Sequence, residues 1–272
     1  MRTIYYYQTF VGLQKLSTHL NDIDVINISS IHFDENGSSK SIYLNDHSPY
    51  DPIFDDMWRE TEMADAQGVT IMLMIGGAGG AYTQLFQDFD TYYPQLKDLL
   101  SRKSFLSGVD LDIEESIDLS NLIKLIDHLK RDFPDLKISM APIASAMTGD
   151  SPGLGGFSYK DLLNSEAGSQ IDWWNVQCYN EFSATTFQAI VTNGYDPRMI
   201  HMGMMSGQYD KDTFQNALSE IQKILLKYPM MGGVFDWEYL DAPPDPKDPS
   251  QWCHLIKALE EEMWEEGSQL IL

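Results

Sequence analysis

The feature that most constrains the fold of this 272-residue chain is a regular alternation of strand-like and helix-like segments. Eight short runs rich in β-branched and aliphatic residues are typical of buried strands. They span residues 3–7, 25–31, 69–75, 108–114, 137–142, 173–179, 199–204 and 232–237. Apolar residues at three- and four-residue spacing predict helices between them, most clearly over 119–133, 211–228 and 250–266. Eight strand–helix repeats predict an α/β protein with the (β/α)8 architecture of a TIM barrel.

Three polar segments rich in glycine, proline, serine and aspartate interrupt this pattern. They span 34–52, 145–157 and 241–249, and a short hairpin is the expected structure within the first. Because all three follow strands, we expect them at the carboxyl ends of the strands, where barrel active sites are built. None resembles an interdomain linker, so residues 1–272 are predicted to form a single barrel domain.

The formal net charge of −23 argues against a nucleic-acid partner, because phosphate binding needs a basic surface. The lack of a run of about 18 apolar residues argues against a membrane partner. Cys178 and Cys253 fall inside a predicted strand and a predicted helix, which indicates buried free thiols. No secretion signal precedes the first strand, which favours a cytoplasmic protein, or a secreted one if the natural N-terminus was trimmed. A monomer is the default expectation.

The segment LSGVDLDIEES at 106–116 carries acidic residues at alternate positions. In a strand, Asp110, Asp112 and Glu114 share one face and the aliphatic residues between them share the other. In a barrel the aliphatic face suits the helix layer, so the carboxylates point inward, with Glu114 last, at the mouth. Three like charges are costly to bury, which indicates a use for them. This strand alone leaves open acid–base catalysis, a Mg²⁺ or Mn²⁺ site and structural hydrogen bonding.

This acidic strand resembles the DGxDxDxE signature of glycoside hydrolase family 18, which contains chitinases and endo-β-N-acetylglucosaminidases. Four other segments resemble parts of that family in the same order. They are IMLMIGGAGGAY (71–82), which is most similar to class III chitinases, APIA (141–144), WWNVQCYNE (173–181) and GGVFDWEYLD (232–241). The matches fall on five of the eight predicted strands, and the acidic strand combined with QxYN is the specific part of the resemblance.

The resemblance implies a retaining glycosidase for oligo- or polysaccharides that contain N-acetylglucosamine, with no metal and no cofactor. Glu114 would protonate the leaving glycosidic oxygen and later act as base on water. The substrate's own acetamido oxygen would replace a protein nucleophile and form an oxazolinium ion. Asp112 would orient the acetamido N–H, Tyr179 would hydrogen-bond the acetamido oxygen, and Asp110 would complete the carboxylate group. Repulsion from Asp112 would favour the protonated, acid form of Glu114.

Further residues are expected to bind the substrate. Gln177 and Tyr179 share one strand face, so both should point into the barrel near the sugar. Asn180 would lie at the mouth of that strand. Trp237 would form an apolar floor under the sugar at the cleavage site, and the alternative is an ordinary core tryptophan.

Two glycines and two large side chains complete the candidates. Gly76 and Gly77 would let the backbone approach the acidic strand closely, and a plain turn is the alternative. Tyr7 and Met140 are candidates for the pocket lining, although packing in the barrel core accounts for them equally well.

The sequence departs from the family signature at two positions. Ser107 replaces the first aspartate of the signature, and Met74 replaces the third-strand serine. In relatives, those positions belong to the inner polar network that shares a proton with the aspartate next to the acid. We therefore expect an active enzyme with a modified pH optimum.

Three alternatives to chitin or chito-oligosaccharide hydrolysis remain at this point. A non-catalytic, lectin-like member would bind glycans without cleaving them. An endo-β-N-acetylglucosaminidase acting on N-glycans, or an enzyme acting on peptidoglycan, would use the same residues with different loops. The presence of Glu114 favours catalysis.

Overall fold

The computed structural model describes residues 1–36 and 39–269. Its strands are β1 (Arg2–Tyr7), β2 (Val25–Asn36), β3 (Ser39–Leu44), β4 (Thr70–Gly76), β5 (Leu106–Asp112), β6 (Lys137–Met140), β7 (Trp173–Gln177), β8 (Ile200–Met205) and β9 (Gly233–Trp237). Eight of them run parallel in the order β1-β2-β4-β5-β6-β7-β8-β9, and β9 pairs with β1 to close a barrel. The predicted (β/α)8 barrel is therefore confirmed.

Helices connect the barrel strands and cover the outside. They are α1 (Asp55–Asp65), α2 (Tyr82–Gln87), α3 (Phe89–Arg102), α4 (Leu119–Asp132), α5 (Ala144–Thr148), α6 (Tyr159–Leu163), α7 (Ala184–Thr192), α8 (Lys211–Lys227) and α9 (Ser250–Gln269). Between β1 and β2 the connection is a 3-10 helix, Gln14–Asp22. The three helices that the apolar spacing predicted correspond to α4, α8 and α9.

Two strand boundaries bear on the site. The hairpin expected in the segment 34–52 is present, because β3 pairs antiparallel with β2. Strand β5 begins two residues earlier than predicted and ends at Asp112, so Glu114 lies just beyond the strand. A side chain beyond the last paired residue stands at the barrel mouth instead of inside the barrel.

Strand alternation separates an inner cluster from the helix-facing core. The inner cluster contains Ile4, Tyr6, Val25, Met72, Met74, Trp173 and Phe235. Val109, Leu111 and Ile113 pack in the helix-facing core, as the alternation along β5 predicts. Inside the barrel, a Cβ atom at position 203 would lie 2.0 Å from the Phe235 ring, so Gly203 makes room for that ring. The lower barrel is therefore filled by side chains.

For Tyr7 and Met140 the structure favours packing in the core over lining the pocket. Both are fully buried in the helix-facing core, so neither lines a pocket at the mouth. The Tyr7 hydroxyl accepts a hydrogen bond from the backbone N–H of Gly12 at 2.8 Å. On β1 it is Tyr6 that points inward, and on β6 the inward residue is Ser139. Strand alternation then forces their neighbours outward.

Both cysteines are buried and free, as expected. Burial raises the pKa of each thiol, that of Cys178 and that of Cys253, to about 12, so both stay protonated at neutral pH. Across the described ranges, no helix is long and apolar enough to cross a membrane.

Candidate active site

Asp110 is the deepest acidic residue of β5 and is held by three other strands. Its Oδ2 accepts a hydrogen bond from the Tyr6 hydroxyl at 2.7 Å. Its Oδ1 accepts from Ser139 Oγ at 2.6 Å and from Asn175 Nδ2 at 3.0 Å. Burial raises the pKa of Asp110, and these three donors only partly oppose it. The network fixes β5 relative to β1, β6 and β7, directly below the next carboxylate.

Asp112 and Glu114 are joined by one amide group. Gln177 Nε2 donates to Asp112 Oδ1 at 3.2 Å and to Glu114 Oε1 at 3.3 Å, and it also contacts the carbonyl oxygen of Ala141 at 3.0 Å. Burial, followed by the charges of Glu114 and Asp110, raises the pKa of Asp112 well above its usual range. The carboxyl group of Asp112 therefore keeps its proton to a higher pH than an exposed aspartate does.

Tyr179 follows the last residues of β7 and stands beside this pair. Its ring is half-buried and meets the Phe235 ring edge to face, with centroids 6.5 Å apart. Burial and the nearby Asp112 charge raise the pKa of the hydroxyl well above its usual range. We find no protein hydrogen-bond partner for this hydroxyl in the part of the chain that the structure describes. It can therefore donate to a ligand.

Gly76 and Gly77 bring β4 into direct contact with the acidic strand. Both adopt positive φ angles, of 94° and 89°. A Cβ atom on Gly76 would lie 2.3 Å from the carbonyl oxygen of Asp112, and the N–H of Gly77 donates to that oxygen at 2.9 Å. Of the two interpretations of this pair, the structure favours the close approach to the acidic strand, because side chains are excluded there.

An open cleft of about 770 Å³ runs from the barrel mouth across the carboxyl ends of β1, β2, β4 and β9. Trp237 and Met74 line its inner end. The rest is lined by Phe33, Tyr43, the glycine-rich segment 76–80 and the polar side chains of Gln8, Thr9, Ser30, His32, Asn45, Asp46 and Gln84. A Cβ atom on Gly77, another lining residue, would lie 3.6 Å from Asp112 Oδ2. The wall of the cleft at Gly77 therefore lies next to the Asp112 carboxyl group.

Trp237 is half-buried, and its ring packs 5.3 Å from that of Tyr6. It thus offers a face to the cleft above the inner cluster. Asn180 is different, because it is exposed and its backbone N–H donates to Gln208 Oε1 at 3.2 Å. It lines a separate depression, so the structure does not bring Asn180 into the cleft.

The two departures from the signature have different positions. Met74 is buried and points inward, and its Cε would lie 2.9 Å from a Cβ atom on Gly77. Ser107 lies at the other end of β5 from Glu114, and its side chain makes no hydrogen bond to the Asp110 network in the described residues. The hydrogen-bond network around Asp110 therefore forms without Ser107. A register shift in β4–β5 pairing falls at this position, between Leu106 and Gly108.

Glu115 has a structural role that the sequence did not reveal. Its Oε1 accepts from the backbone N–H groups of Ala81 and Tyr82, and its Oε2 accepts from Thr83 Oγ1 at 2.5 Å. Burial alone would raise the pKa of Glu115, but these hydrogen bonds outweigh it and lower the pKa. Glu115 is an ionised cap at the start of α2, which ties the glycine-rich loop to the end of β5.

Sequence reasoning also missed His32, which lines the cleft on β2. Its Nε2 lies 2.8 Å from Ser30 Oγ and its Nδ1 lies 2.6 Å from the carbonyl oxygen of Gly80. The ring therefore joins β2 to the loop that follows β4. Alternation along β2 places Ser30 and His32 on the same face, but the partner loop could not be inferred from local sequence.

Comparisons with known proteins identify the family of this chain. Residues 2–232 match the model of the family described as Glycosyl hydrolases family 18. A fungal endo-beta-N-acetylglucosaminidase of glycosyl hydrolase family 18 superimposes with a TM-score of 0.85 and 30% identity, covering 95% of this chain and 98% of that one. A chitinase from Aspergillus fumigatus superimposes with a TM-score of 0.80 and 31% identity, covering 94% and 98%.

One curated relative is Endochitinase 4 of Metarhizium robertsii, which is 31% identical over 133 residues. The match covers 43% of this chain and 38% of that protein. The chain therefore matches well under half the length of this relative.

Proposed function

The chain belongs to family 18 of the glycosyl hydrolases, and we propose that it hydrolyses β-1,4 linkages next to N-acetylglucosamine in chitin or chito-oligosaccharides, with retention of the anomeric configuration. The observation that carries this proposal is the Gln177 amide, which joins the Asp112 and Glu114 carboxyl groups at 3.2 and 3.3 Å. The amide pairs one buried acid with one half-buried acid at the carboxyl end of β5.

Glu114 acts as the general acid and then as the general base. It lies past the end of β5 at the mouth, where a glycosidic oxygen can reach it, while Asp110 is sealed inside the barrel. Protonation of the leaving oxygen by Glu114 breaks the glycosidic bond, and the resulting carboxylate then accepts a proton from water. One residue performs both proton transfers because the second step resembles the reverse of the first, with water in place of the leaving sugar.

Asp112 stabilises the positive charge of the intermediate. Burial and two neighbouring carboxyl groups raise the pKa of Asp112 well above its usual range. As the acetamido oxygen of the substrate attacks the anomeric carbon, a positive charge develops on the acetamido group. A carboxyl oxygen of Asp112 accepts the hydrogen bond of the acetamido N–H, and this hydrogen bond strengthens as the positive charge develops, so the interaction is stronger in the transition state than in the ground state.

Tyr179 and Trp237 hold the reacting sugar. The Tyr179 hydroxyl donates to the acetamido oxygen and aims it at the anomeric carbon, which fixes an attack geometry that would otherwise be rare. Trp237 packs against the apolar face of the sugar ring at the inner end of the cleft. Gln177 keeps the two carboxyl groups at a fixed separation.

Two structural relatives favour different glycans. The Aspergillus fumigatus relative is a chitinase, and the other fungal relative is an endo-beta-N-acetylglucosaminidase with a TM-score of 0.85. Cleavage of an N-glycan core is therefore a second candidate, which needs the same residues at the cleavage site.

The substrate can be identified by incubating purified protein with chito-oligosaccharides, a high-mannose glycopeptide and peptidoglycan fragments, with products read by mass spectrometry. We expect shorter chito-oligosaccharides as products. Cleavage of the glycopeptide alone would indicate that N-glycans are the substrate, with the same mechanism. Chito-oligosaccharide binding without turnover of any of the three would instead indicate a lectin-like protein.

A further inference from the structure

A second group of chemically reactive side chains lies outside the barrel, between the 3-10 helix Gln14–Asp22 and the first turns of α9. Asp22 Oδ2 lies 3.4 Å from His19 Nδ1 and 3.0 Å from His254 Nδ1. The ligand atoms of all three residues lie within 4.8 Å of one another. Asp22 precedes β2, so this group stands toward the amino ends of the strands, away from the cleft.

These distances match the spacing of ligands around one small ion. Zinc binds histidine nitrogen and carboxylate oxygen at about 2.0–2.2 Å, so two ligands at neighbouring corners of a tetrahedron lie about 3.3 Å apart. The two measured distances from Asp22 Oδ2, 3.4 and 3.0 Å, are close to that value. The third separation, between the two imidazole nitrogens, is within 4.8 Å, so the two rings must reorient for an ion to bind all three atoms.

The local backbone turns His19 toward α9. His19 leaves the helical conformation within Gln14–Asp22, at φ −128° and ψ 32°. Its ring stacks on that of His254, with centroids 4.0 Å apart and planes 24° apart. The backbone carbonyl of Asp22 accepts a hydrogen bond from the Thr3 hydroxyl, which holds this end of the segment to β1. The three side chains therefore come together from two elements, the segment Gln14–Asp22 and α9.

Neighbouring cations do not neutralise the group. Lys257, one turn along α9 from His254, pairs with Asp24 at 2.8 Å and with the carbonyl oxygen of Met1 at 2.7 Å. The side-chain partners of the Asp22 carboxylate in the described residues are the two histidines. A carboxylate between two imidazoles is a donor set that suits zinc.

We propose that His19, Asp22 and His254 bind a zinc ion, with the fourth position open to water. Two imidazole ligands select against Ca²⁺ and Mg²⁺, which prefer oxygen. The ion would join the segment after the first strand to the C-terminal helix, and so stabilise the closure of the barrel. It lies apart from the cleft and takes no part in glycan hydrolysis.

The test is a calorimetric titration of untagged, chelator-treated protein with ZnCl₂ and, separately, MgCl₂. We expect saturable zinc binding with one ion at this site, no magnesium binding there, and a rise in the unfolding temperature of about 5 °C when zinc is saturating. Asp22→Asn and His254→Ala should each weaken this zinc binding about 10–100-fold. The control is His47→Ala, which removes an exposed histidine in a loop far along the chain and should bind zinc like the wild type.

Asp22→Asn keeps the shape of the side chain, and His254 is 49% exposed, so both variants should fold. Zinc affinity and zinc-dependent stabilisation that are unchanged in both variants would overturn the proposal. So would the absence of zinc binding to the wild-type protein.

Discussion

Replacing Glu114 by glutamine is expected to lower kcat for chito-oligosaccharides by about 10³-fold or more, because general acid–base catalysis contributes about 10²–10⁴ and Glu114 serves in both steps. Glutamine keeps the size and polarity of the side chain. The dissociation constant for chito-oligosaccharides, measured by calorimetry, should therefore change little. Glu114→Gln should therefore lose activity but still bind chito-oligosaccharides.

The matched control is Glu115→Gln, the same change one residue along the chain. Glu115 caps α2 through Ala81, Tyr82 and Thr83, and it does not contact the Gln177 bridge. Its variant should lose far less kcat than Glu114→Gln at a temperature where both variants are folded. Equal losses in both variants would show that the acid is misassigned, and wild-type activity in Glu114→Gln would contradict the mechanism outright.

Asp112→Asn is expected to lower kcat by about 10²-fold or more and to raise the unfolding temperature at neutral pH. An amide cannot ionise to balance the charge of the intermediate, so the rate falls. Asparagine still offers Oδ1 to Gln177, so the local hydrogen bond can be kept. The variant is therefore less active and more stable at the same time.

The stability difference between Asp112→Asn and the wild type is expected to depend on pH. The pKa of Asp112 is raised in the folded state, mainly by burial, above the value of about 3.9 expected in the unfolded chain. Such a group favours folding fully below the unfolded pKa, and this contribution is lost as the pH rises toward the folded-state value. The stability gain of Asp112→Asn should thus grow from about pH 4 upward.

Unfolding temperatures of wild type and Asp112→Asn, measured from acid to neutral pH, check this expectation. Asp118→Asn is a suitable control, because Asp118 is exposed in the loop that follows the same strand. That variant should resemble the wild type in rate and stability. A uniform destabilisation of Asp112→Asn at every pH would contradict the raised pKa and indicate a purely structural role.

Much of the fold followed from the sequence because alternation and helical spacing are local properties. The positions of Asp110 and Asp112 inside the barrel, and of Glu114 at its mouth, follow from parity on one strand once Leu111 is assigned to the helix layer. Alternation along a strand could not assign the inward-facing residues where neighbouring residues are of the same type. Three consecutive tyrosines on β1 do not reveal that Tyr6 is the inward one.

The parts that the sequence could not provide depend on contacts between strands. Asn175 and Ser139 reach Asp110 only because β5, β6 and β7 are neighbours at a given register. The register shift near Ser107 likewise changes which residues face the interior, and no local pattern records it. The contact of His32 with Gly80 could not be predicted either, because it depends on how the β2–β3 hairpin lies relative to the loop after β4.

The central claim is that the substrate's acetamido group acts as the nucleophile and that Glu114 then directs water to the same face of the sugar. The most direct test is proton NMR of the first sugar released from chito-oligosaccharides by the wild-type protein, recorded before the anomers equilibrate. The proposed mechanism predicts that the new reducing end appears as the β-anomer and only later converts to the mixture. Initial release of the α-anomer would mean direct attack by water with inversion and would contradict it.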